Sequence, residues 1–382
     1  MSRRNALRDR FNWIAFFALL ILLGVSLLTQ RNADFYSGKD FYSQQVVWIL
    51  VGFLFFFLPA AVVDLRLVER AAYPVLALSV VLLVLTALFG TEVNHSRRWL
   101  RWGVNIQASE LAKLGVILAL ARRYHARHEH LPGEPPPPDR PLGFRDLLVP
   151  AGLLLAPALL ILTQPDLGTT LLMVFVGIVI TLYERVNRRV LVTLTLVGLV
   201  GVPVGWKFGV KQYQKARFLG LVDSDWERID ADAAVVHRNR HTQSEQAIWA
   251  ISSGEFWGRG SRGASKERLR YLPEMHSDMI SAPFAEEHGF LGCTGLLLLF
   301  WLLVVWGLRT AKDARDRFCQ HLAVGVSAMI GLQVFINLAM VAGILPIVGL
   351  PLPFLSYGGS AAMVYLASLG LVFNVALRRG RM

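Results

Sequence analysis

Acidic, basic and hydroxyl side chains gather at one place where a polar stretch of the chain meets an apolar one. The segment 271–280 contains His276 and Asp278, and Glu286 follows shortly before the next apolar run. Side chains at such a boundary can serve as a catalytic base, cap a helix or bind a metal ion. His276 and Asp278 lack the i, i+4 spacing of a helical zinc pair, so a tight structural metal site is not expected.

Ionisable residues also interrupt the apolar segments. Glu110 and Lys113 lie three residues apart in a short apolar stretch, which places them on one face of a helix, where they can pair. A charge at membrane depth is costly, so the pair indicates either a polar cavity or a buried ion pair that fixes helix packing, and its position in a short span near the outer side favours the cavity. Gln164 and Asp166 lie where two apolar runs meet, and Asp166 is either a helix N-cap or a cavity carboxylate.

A short polar loop supplies further binding candidates. It contains the sequence Arg97-Arg98-Trp99, followed closely by Arg101 and Trp102. Tryptophan beside arginine is typical of a membrane interface. Arginine also binds phosphate oxygens in a bidentate manner, so the alternative interpretation is a site for an anionic head group, where the cations would stabilise a leaving diphosphate.

The segment 343–360 contains three prolines and four glycines between the last two apolar runs. It includes Ser356 and Ser360. Irregular backbone at membrane depth persists only where protein or water satisfies its polar groups, so this segment is predicted to line a cavity. A rigid hairpin between helices is the alternative.

The elements that position these residues are predicted from composition. The chain has 382 residues, of which 54% are hydrophobic and 17% charged. This excess of apolar residues indicates an integral membrane protein and argues against a soluble enzyme, a disordered chain or a disulfide scaffold. Nine charge-free runs are long enough to cross a bilayer with tilt: 11–29, 46–63, 73–90, 147–163, 168–183, 190–206, 290–308, 322–348 and 354–377.

A tenth run, 108–121, is short and contains two charged residues, so composition alone leaves it doubtful. The basic clusters of the connecting loops fall on one side of the membrane only if this run also crosses. The expected fold is therefore all-α: a polytopic membrane protein of about ten transmembrane helices with both termini in the cytoplasm. We expect one domain over 1–382, with the run 147–183 divided at Pro165 into two crossings.

Two loops are long. The loop 122–146 is expected in the cytoplasm and contains a polyproline stretch, interpreted as a solvated spacer. The loop 207–280 is expected outside, where long loops escape the positive-inside rule. The net charge of +12 then indicates contact with anionic membrane lipids and not with nucleic acid, because the basic residues lie in short clusters between apolar runs.

Six ordered motifs together resemble the SEDS family (shape, elongation, division and sporulation), and the resemblance covers nearly the whole chain. Any one motif is weak, but the ordered set on ten spans is specific. Pro351 before Leu352-Pro353 is similar to the elongation branch, since the division branch usually has threonine there. The motifs are Arg97-Arg98-Trp99, the segment 109–114, the segment 164–169, Leu272-Pro273-Glu274 with His276 and Asp278, the segment 286–289, and the segment 351–360.

The resemblance implies a peptidoglycan glycosyltransferase that polymerises lipid II at the outer face of the bacterial cytoplasmic (inner) membrane during cell elongation. It implies Asp278 as the general base of an inverting transfer. A divalent cation, Mg²⁺ or Mn²⁺, would help to balance the diphosphate, and no organic cofactor is expected. The implied substrate site comprises Arg97, Arg98, Trp99, Glu110, Lys113, Gln164, Asp166, His276, Glu286, Ser356 and Ser360.

The partners implied by the resemblance are a class B penicillin-binding protein transpeptidase, other proteins of the elongation complex, and membrane lipids. Two other functions stay open. One is a lipid II flippase that uses Glu110, Lys113 and Asp166 to carry the head group, and the other is the division-specific enzyme of the same family. The clustering of Asp278 with Arg97 and Arg98 on the outer side, and hydropathy without an obvious inverted repeat, favour an enzyme over a transporter.

Overall fold

The computed structural model describes residues 11–93, 96–102, 104–129, 140–196, 199, 243–263 and 275–378. These residues are mostly helical, which confirms the predicted all-α class. The longer helices are α1 (Trp13–Ser37), α2 (Tyr42–Phe57, continued by a π-helical turn Leu58–Val62), α3 (Leu65–Phe89), α4 (Ala108–His128), α5 (Phe144–Thr163), α6 (Leu167–Tyr183), α7 (Ser281–Asp313), α8 (Arg317–Val341) and α9 (Gly359–Leu377).

Seven of these elements are long and apolar enough to cross a membrane: α1, α2 with its π-helical turn, α3, α5, α7, α8 and α9. Helix α6 is apolar but only 17 residues long. The predicted span 190–206 is helical as far as residue 196 and again at residue 199. Its other residues lie outside the described part, as do the polyproline stretch and most of the loop 207–280. The chain is thus a multi-pass membrane protein, while ten crossings and their orientation remain predictions.

Helix α4 runs through the middle of the bundle, and this position explains its unusual composition. It contacts α3, α5, α6, α8 and α9, and its residues from Ala108 to Ala121 are buried except Leu111. Because neighbouring helices shield α4 from lipid, it can carry charged side chains that pair inside the protein. The predicted run 108–121 is therefore helical, and the helix continues seven residues further.

Two helix breaks shape the region around the candidate residues. The run 147–183 is divided at Gln164-Pro165-Asp166, as predicted, and α6 begins at Leu167. Helix α7 is interrupted at Gly289, whose φ of 61° favours glycine. A side chain there would also collide with the backbone of Gly258. The predicted span 290–308 begins at this break, and the residues before it form a buried helical segment.

A small antiparallel sheet connects α3 to α4, where the sequence indicated only a polar loop. Its strands are β1 (Thr91–Val93), β2 (Ser96–Trp102) and β3 (Val104–Ile106), in the order β1-β2-β3. Side chains alternate between the faces of a strand, so Arg98 and the buried Leu100 share one face of β2. Because Leu100 is buried, the side chain of Arg98 on the same face of β2 also points toward the helices.

Candidate active site

The loop that carries Asp278 (residues 275–280, the Asp278 loop) packs against the irregular connection between α8 and α9 (residues 342–358, the connecting segment). Ser356 Oγ donates to Ser277 O at 2.7 Å, and Tyr357 N donates to His276 O at 2.9 Å. The connecting segment is irregular, as predicted, and several of its backbone groups bond to other parts of the protein. The structure thus brings two motifs together that are about 80 residues apart in the chain.

Asp278 and Arg98 both lie close to Gly349 of the connecting segment. Asp278 Oδ2 lies 3.2 Å, and Arg98 Nη1 4.0 Å, from the position that a Cβ would take on Gly349. Gly349 also has a φ of +75°, which strains any other residue. Asp278 is only partly buried. A carboxylate and a guanidinium therefore line one point that a side chain at residue 349 would obstruct.

Arg98 is held by the turn between α5 and α6. Its Nε donates to Gln164 O at 3.4 Å, and its Nη2 donates to Pro165 O. The backbone of that turn thus aims the arginine, and Nη1 is left on the side of Gly349. Trp99 is partly buried and its carbonyl accepts a bond from Thr91; Arg97 lies in β2, but its side chain is outside the described part.

Gln164 and Asp166 have structural partners in the same turn. Gln164 Nε2 donates to Leu83 O at 2.9 Å and so ties the turn to α3. Asp166 caps α6, since its Oδ1 accepts from Thr169 N at 3.2 Å and its Oδ2 from Thr169 Oγ1 at 2.9 Å. Of the two roles open for Asp166 from the sequence, the geometry shows the N-cap.

Glu110 and Lys113 form a buried ion pair, which is the alternative that the sequence favoured less than a polar cavity. Lys113 Nζ lies 2.9 Å from Glu110 Oε2, and both side chains are 2% exposed. The same ammonium donates to Gln333 Oε1 at 3.1 Å and to Tyr365 OH at 2.9 Å. The ammonium of Lys113 is thus engaged by three protein groups, one as an ion pair and two as hydrogen bonds.

The remaining predicted residues also contact other parts of the protein. The His276 ring stacks on Phe41, with 4.0 Å between ring centroids. Ser360 Oγ accepts from Gln107 N at 3.1 Å. Glu286 is fully buried in the first segment of α7, and its carbonyl accepts from Arg259 N at 3.0 Å.

Sequence reasoning missed the amides of α8. Gln333 Nε2 donates to Pro351 O at 2.7 Å, and Asn337 Nδ2 donates to Leu350 O at 2.7 Å. Both side chains are fully buried. Two amides at i and i+4 in an apolar run share a helix face, and a polar residue at membrane depth indicates a function or a partner. That signal was present in the predicted span 322–348.

A group of possible metal ligands lies elsewhere. Within the described ranges, three closely spaced ligands occur once, in Glu69, His125 and Asp316. Asp316 caps the start of α8, 21 residues before Asn337, and is therefore about 30 Å from the Asp278 loop. The side chains of this group already have partners. Arg122 forms an ion pair with Glu69, and Nδ1 of His125 lies 2.8 Å from Oδ1 of Asp316. The group does not serve the candidate active site.

Comparison with known proteins agrees with this architecture over nearly the whole chain. A family described as "Cell cycle protein" (FtsW, RodA and SpoVE) matches residues 8–380. The peptidoglycan glycosyltransferase MrdB of Escherichia coli (strain K12) is 32% identical over 364 residues, which cover 94% of this chain and 93% of that protein.

Two solved structures share the fold. A chain from a structure entitled "Structural coordination of polymerization and crosslinking by a peptidoglycan synthase complex" is 28% identical, with a TM-score of 0.78 and coverage of 97% of this chain and 99% of that one. The rod shape determining protein RodA of Thermus thermophilus is 27% identical, with a TM-score of 0.68 and coverage of 97% and 98%. With its ordered motifs, its helical membrane fold and these matches, the chain belongs to the FtsW/RodA/SpoVE family, the SEDS proteins.

Proposed function

We propose that this protein is a peptidoglycan glycosyltransferase that polymerises lipid II during cell elongation, with Asp278 as the general base. The approach of Asp278 and Arg98 to Gly349 carries the proposal. A carboxylate that accepts a proton and a guanidinium that faces an anion are the two groups that transfer from a sugar diphosphate needs. Similarity to a peptidoglycan glycosyltransferase and to a rod shape determining protein supports both the reaction and the elongation branch.

In the proposed reaction, the acceptor sugar hydroxyl attacks the anomeric carbon of the donor. A new C–O bond forms, the bond between that carbon and the diphosphate oxygen breaks, and Asp278 takes the hydroxyl proton. One carboxylate suffices, because a diphosphate whose charge is balanced leaves without a general acid, whereas most glycosidases need two carboxyl groups. Attack from the face opposite the leaving group inverts the anomeric centre.

Arg98 is the proposed cation for the leaving diphosphate. Two of its nitrogens hold the α5–α6 turn, so the guanidinium is fixed before substrate arrives, and preorganised charge is effective at stabilising charge that develops in a transition state. A Mg²⁺ or Mn²⁺ ion would supply further positive charge for the diphosphate. Lys113, which pairs with Glu110 and donates to Gln333 and Tyr365, is proposed to shape the site through these contacts.

The rival function is a lipid II flippase. It would use Glu110, Lys113 and Asp166, and in the described structure each of these has protein partners. Paired charges that fix helix packing are not available to carry a head group without rearrangement, which favours the enzyme. An assay of purified protein with lipid II in detergent distinguishes the two functions. Detergent removes the two sides of the membrane, so formation of polymer there requires a glycosyltransferase and cannot result from transport.

Partners and location follow from the same proposal. The structural neighbour from a complex that polymerises and crosslinks peptidoglycan supports a transpeptidase partner, for which a class B penicillin-binding protein is our candidate. We place the protein in the bacterial cytoplasmic membrane, with the Asp278 loop outside. Co-purification with such a transpeptidase tests the partner.

The Asp278→Asn variant tests the general base. It removes the proton-accepting charge and nearly keeps the shape, so the rate of polymerisation should fall about 10²- to 10⁴-fold, while binding of lipid II and of the transpeptidase persists. Glu286→Gln is the matched control in the same region. Polymerisation by Asp278→Asn within a few-fold of wild type, with Glu286→Gln inactive, would show that the base is misassigned.

A further inference from the structure

Three consecutive backbone carbonyls of the Asp278 loop accept hydrogen bonds from buried side chains. His276 O accepts from Gln30 Nε2 at 3.1 Å, Ser277 O from Ser356 Oγ at 2.7 Å, and Asp278 O from Asn337 Nδ2 at 2.8 Å. The donors come from α1, the connecting segment and α8. The loop is therefore held by parts of the chain that are distant in sequence, and its position depends on side chains that lie outside it.

Asn337 holds both sides of the candidate active site. Its amide nitrogen donates to Asp278 O and also to Leu350 O at 2.7 Å, and its Oδ1 accepts from Ser281 Oγ at 3.2 Å. Leu350 follows Gly349, the residue that both Asp278 and Arg98 approach. One buried amide thus bridges the loop that carries the carboxylate and the segment that this carboxylate faces.

The bridge uses both amide hydrogens and the amide oxygen of Asn337. A buried carbonyl that loses its donor costs about 1–3 kcal/mol, and the two carbonyls share this one donor group. A polar side chain on an apolar helix is retained only where such bonds offset its burial. The bonds connect groups 59 and 13 residues apart in the chain, so Asn337 fixes a distance that no local element fixes.

From this geometry we infer that Asn337 is a positioning residue: it sets the location of Asp278 relative to Gly349 and Arg98. The inference rests on the proposed function, because it assumes that Asp278 is the base. Asn337 acts through the backbone of the Asp278 loop and does not touch the reacting atoms. A displacement of about 1 Å at a reacting group can cost about 10²-fold in rate, which is the scale expected here.

The test is Asn337→Asp, which keeps the shape but, when ionised, has no hydrogen to donate. Its matched control is Asn374→Asp on α9. Asn374 is also fully buried and its amide nitrogen also donates to two backbone carbonyls, those of Pro59 and Val63. Both variants bury the same new carboxylate on a helix, but only Asn337→Asp releases the Asp278 loop.

Polymerisation of lipid II by the full chain with its co-purified transpeptidase is the readout. We expect kcat of Asn337→Asp to fall about 10²-fold with KM within a few-fold of wild type, while folded Asn374→Asp keeps kcat within a few-fold. If Asn337→Asp does not fold, Asn337→Ser, which keeps one donor, should show a smaller loss of kcat at unchanged KM.

Three results would overturn the inference. The first is a kcat for folded Asn337→Asp, or for Asn337→Ser in its place, that matches wild type. The second is an equal loss in the Asn374 control, which would indicate general damage to the fold. The third is a rise in KM without loss of kcat. Wild-type protein that makes no polymer would overturn the proposed function itself, so the two failures are distinguishable.

Discussion

Removing the charge of Lys113 should lower the stability of the folded protein, because it leaves a buried carboxylate without its counter-charge. In Lys113→Met, the Glu110 carboxylate stays 2% exposed and loses the cation 2.9 Å away. Breaking a buried ion pair from one side typically costs about 3–5 kcal/mol, because the remaining charge is uncompensated, whereas replacing both partners with neutral groups is often neutral or stabilising. We therefore expect Lys113→Met to lose about that much stability and Glu110→Gln/Lys113→Met to recover most of it.

The assay is a double-mutant cycle in detergent, with thermal unfolding followed for wild type, both single variants and the double variant, and with lipid II polymerisation measured on the folded fraction. Recovery of stability together with polymerisation would show that the pair is structural. Recovery of stability without polymerisation would show that the ammonium is needed in catalysis. An unfolding temperature of Lys113→Met equal to that of wild type would refute the reasoning, since a buried uncompensated carboxylate cannot be free of cost.

Two further predictions address the glycine at the site and the ion pairs at the far end of the bundle. Gly349→Ala should reduce polymerisation at least tenfold at unchanged expression, because its Cβ would lie 3.2 Å from the carboxylate of the base and its φ is +75°; Gly24→Ala, whose Cβ would meet nothing within 4 Å, should match wild type. Burial alone would raise the pKa of Glu184, but hydrogen bonds from His321 and His128 outweigh burial and lower it to about 2. Because the folded-state pKa of Glu184 lies below the ordinary 4.5, its ionised carboxylate stabilises the folded protein above pH 4.5, and this stabilisation is lost as pH falls toward 2. The unfolding temperature of wild type should therefore fall over that pH window, and that of Glu184→Gln should fall less.

The membrane class and most helices follow from the sequence because lipid imposes a simple requirement. A helix in contact with lipid must be apolar along about 20 residues, and such runs are visible without any structure. The break at Gln164-Pro165-Asp166 was equally visible, since proline cannot continue a helix. The Gly289 break was not predicted as such, although the predicted span 290–308 begins there.

Helix α4 shows where this signal weakens. Because α4 is surrounded by other helices, the requirement for apolar residues is relaxed, and its charges find partners on α8 and α9. The partners of Lys113, at Gln333 and Tyr365, are more than 200 residues away in sequence. Pattern alone left open whether Glu110 and Lys113 form a pair or line a cavity; tertiary packing shows the pair and its additional partners.

The sequence by itself determined the class of protein, its family and the identity of the chemical groups, since motifs such as Arg97-Arg98-Trp99 and the residues around Asp278 are local. Only the tertiary structure decided which groups meet. The approach of Asp278 and Arg98 to Gly349, and the bridge that Asn337 makes to Asp278 and Leu350, join segments that periodicity cannot relate. The physical reason is that hydrophobic periodicity reports the environment of each helix face, whereas hydrogen bonds between backbone carbonyls and buried amides depend on how the helices pack together.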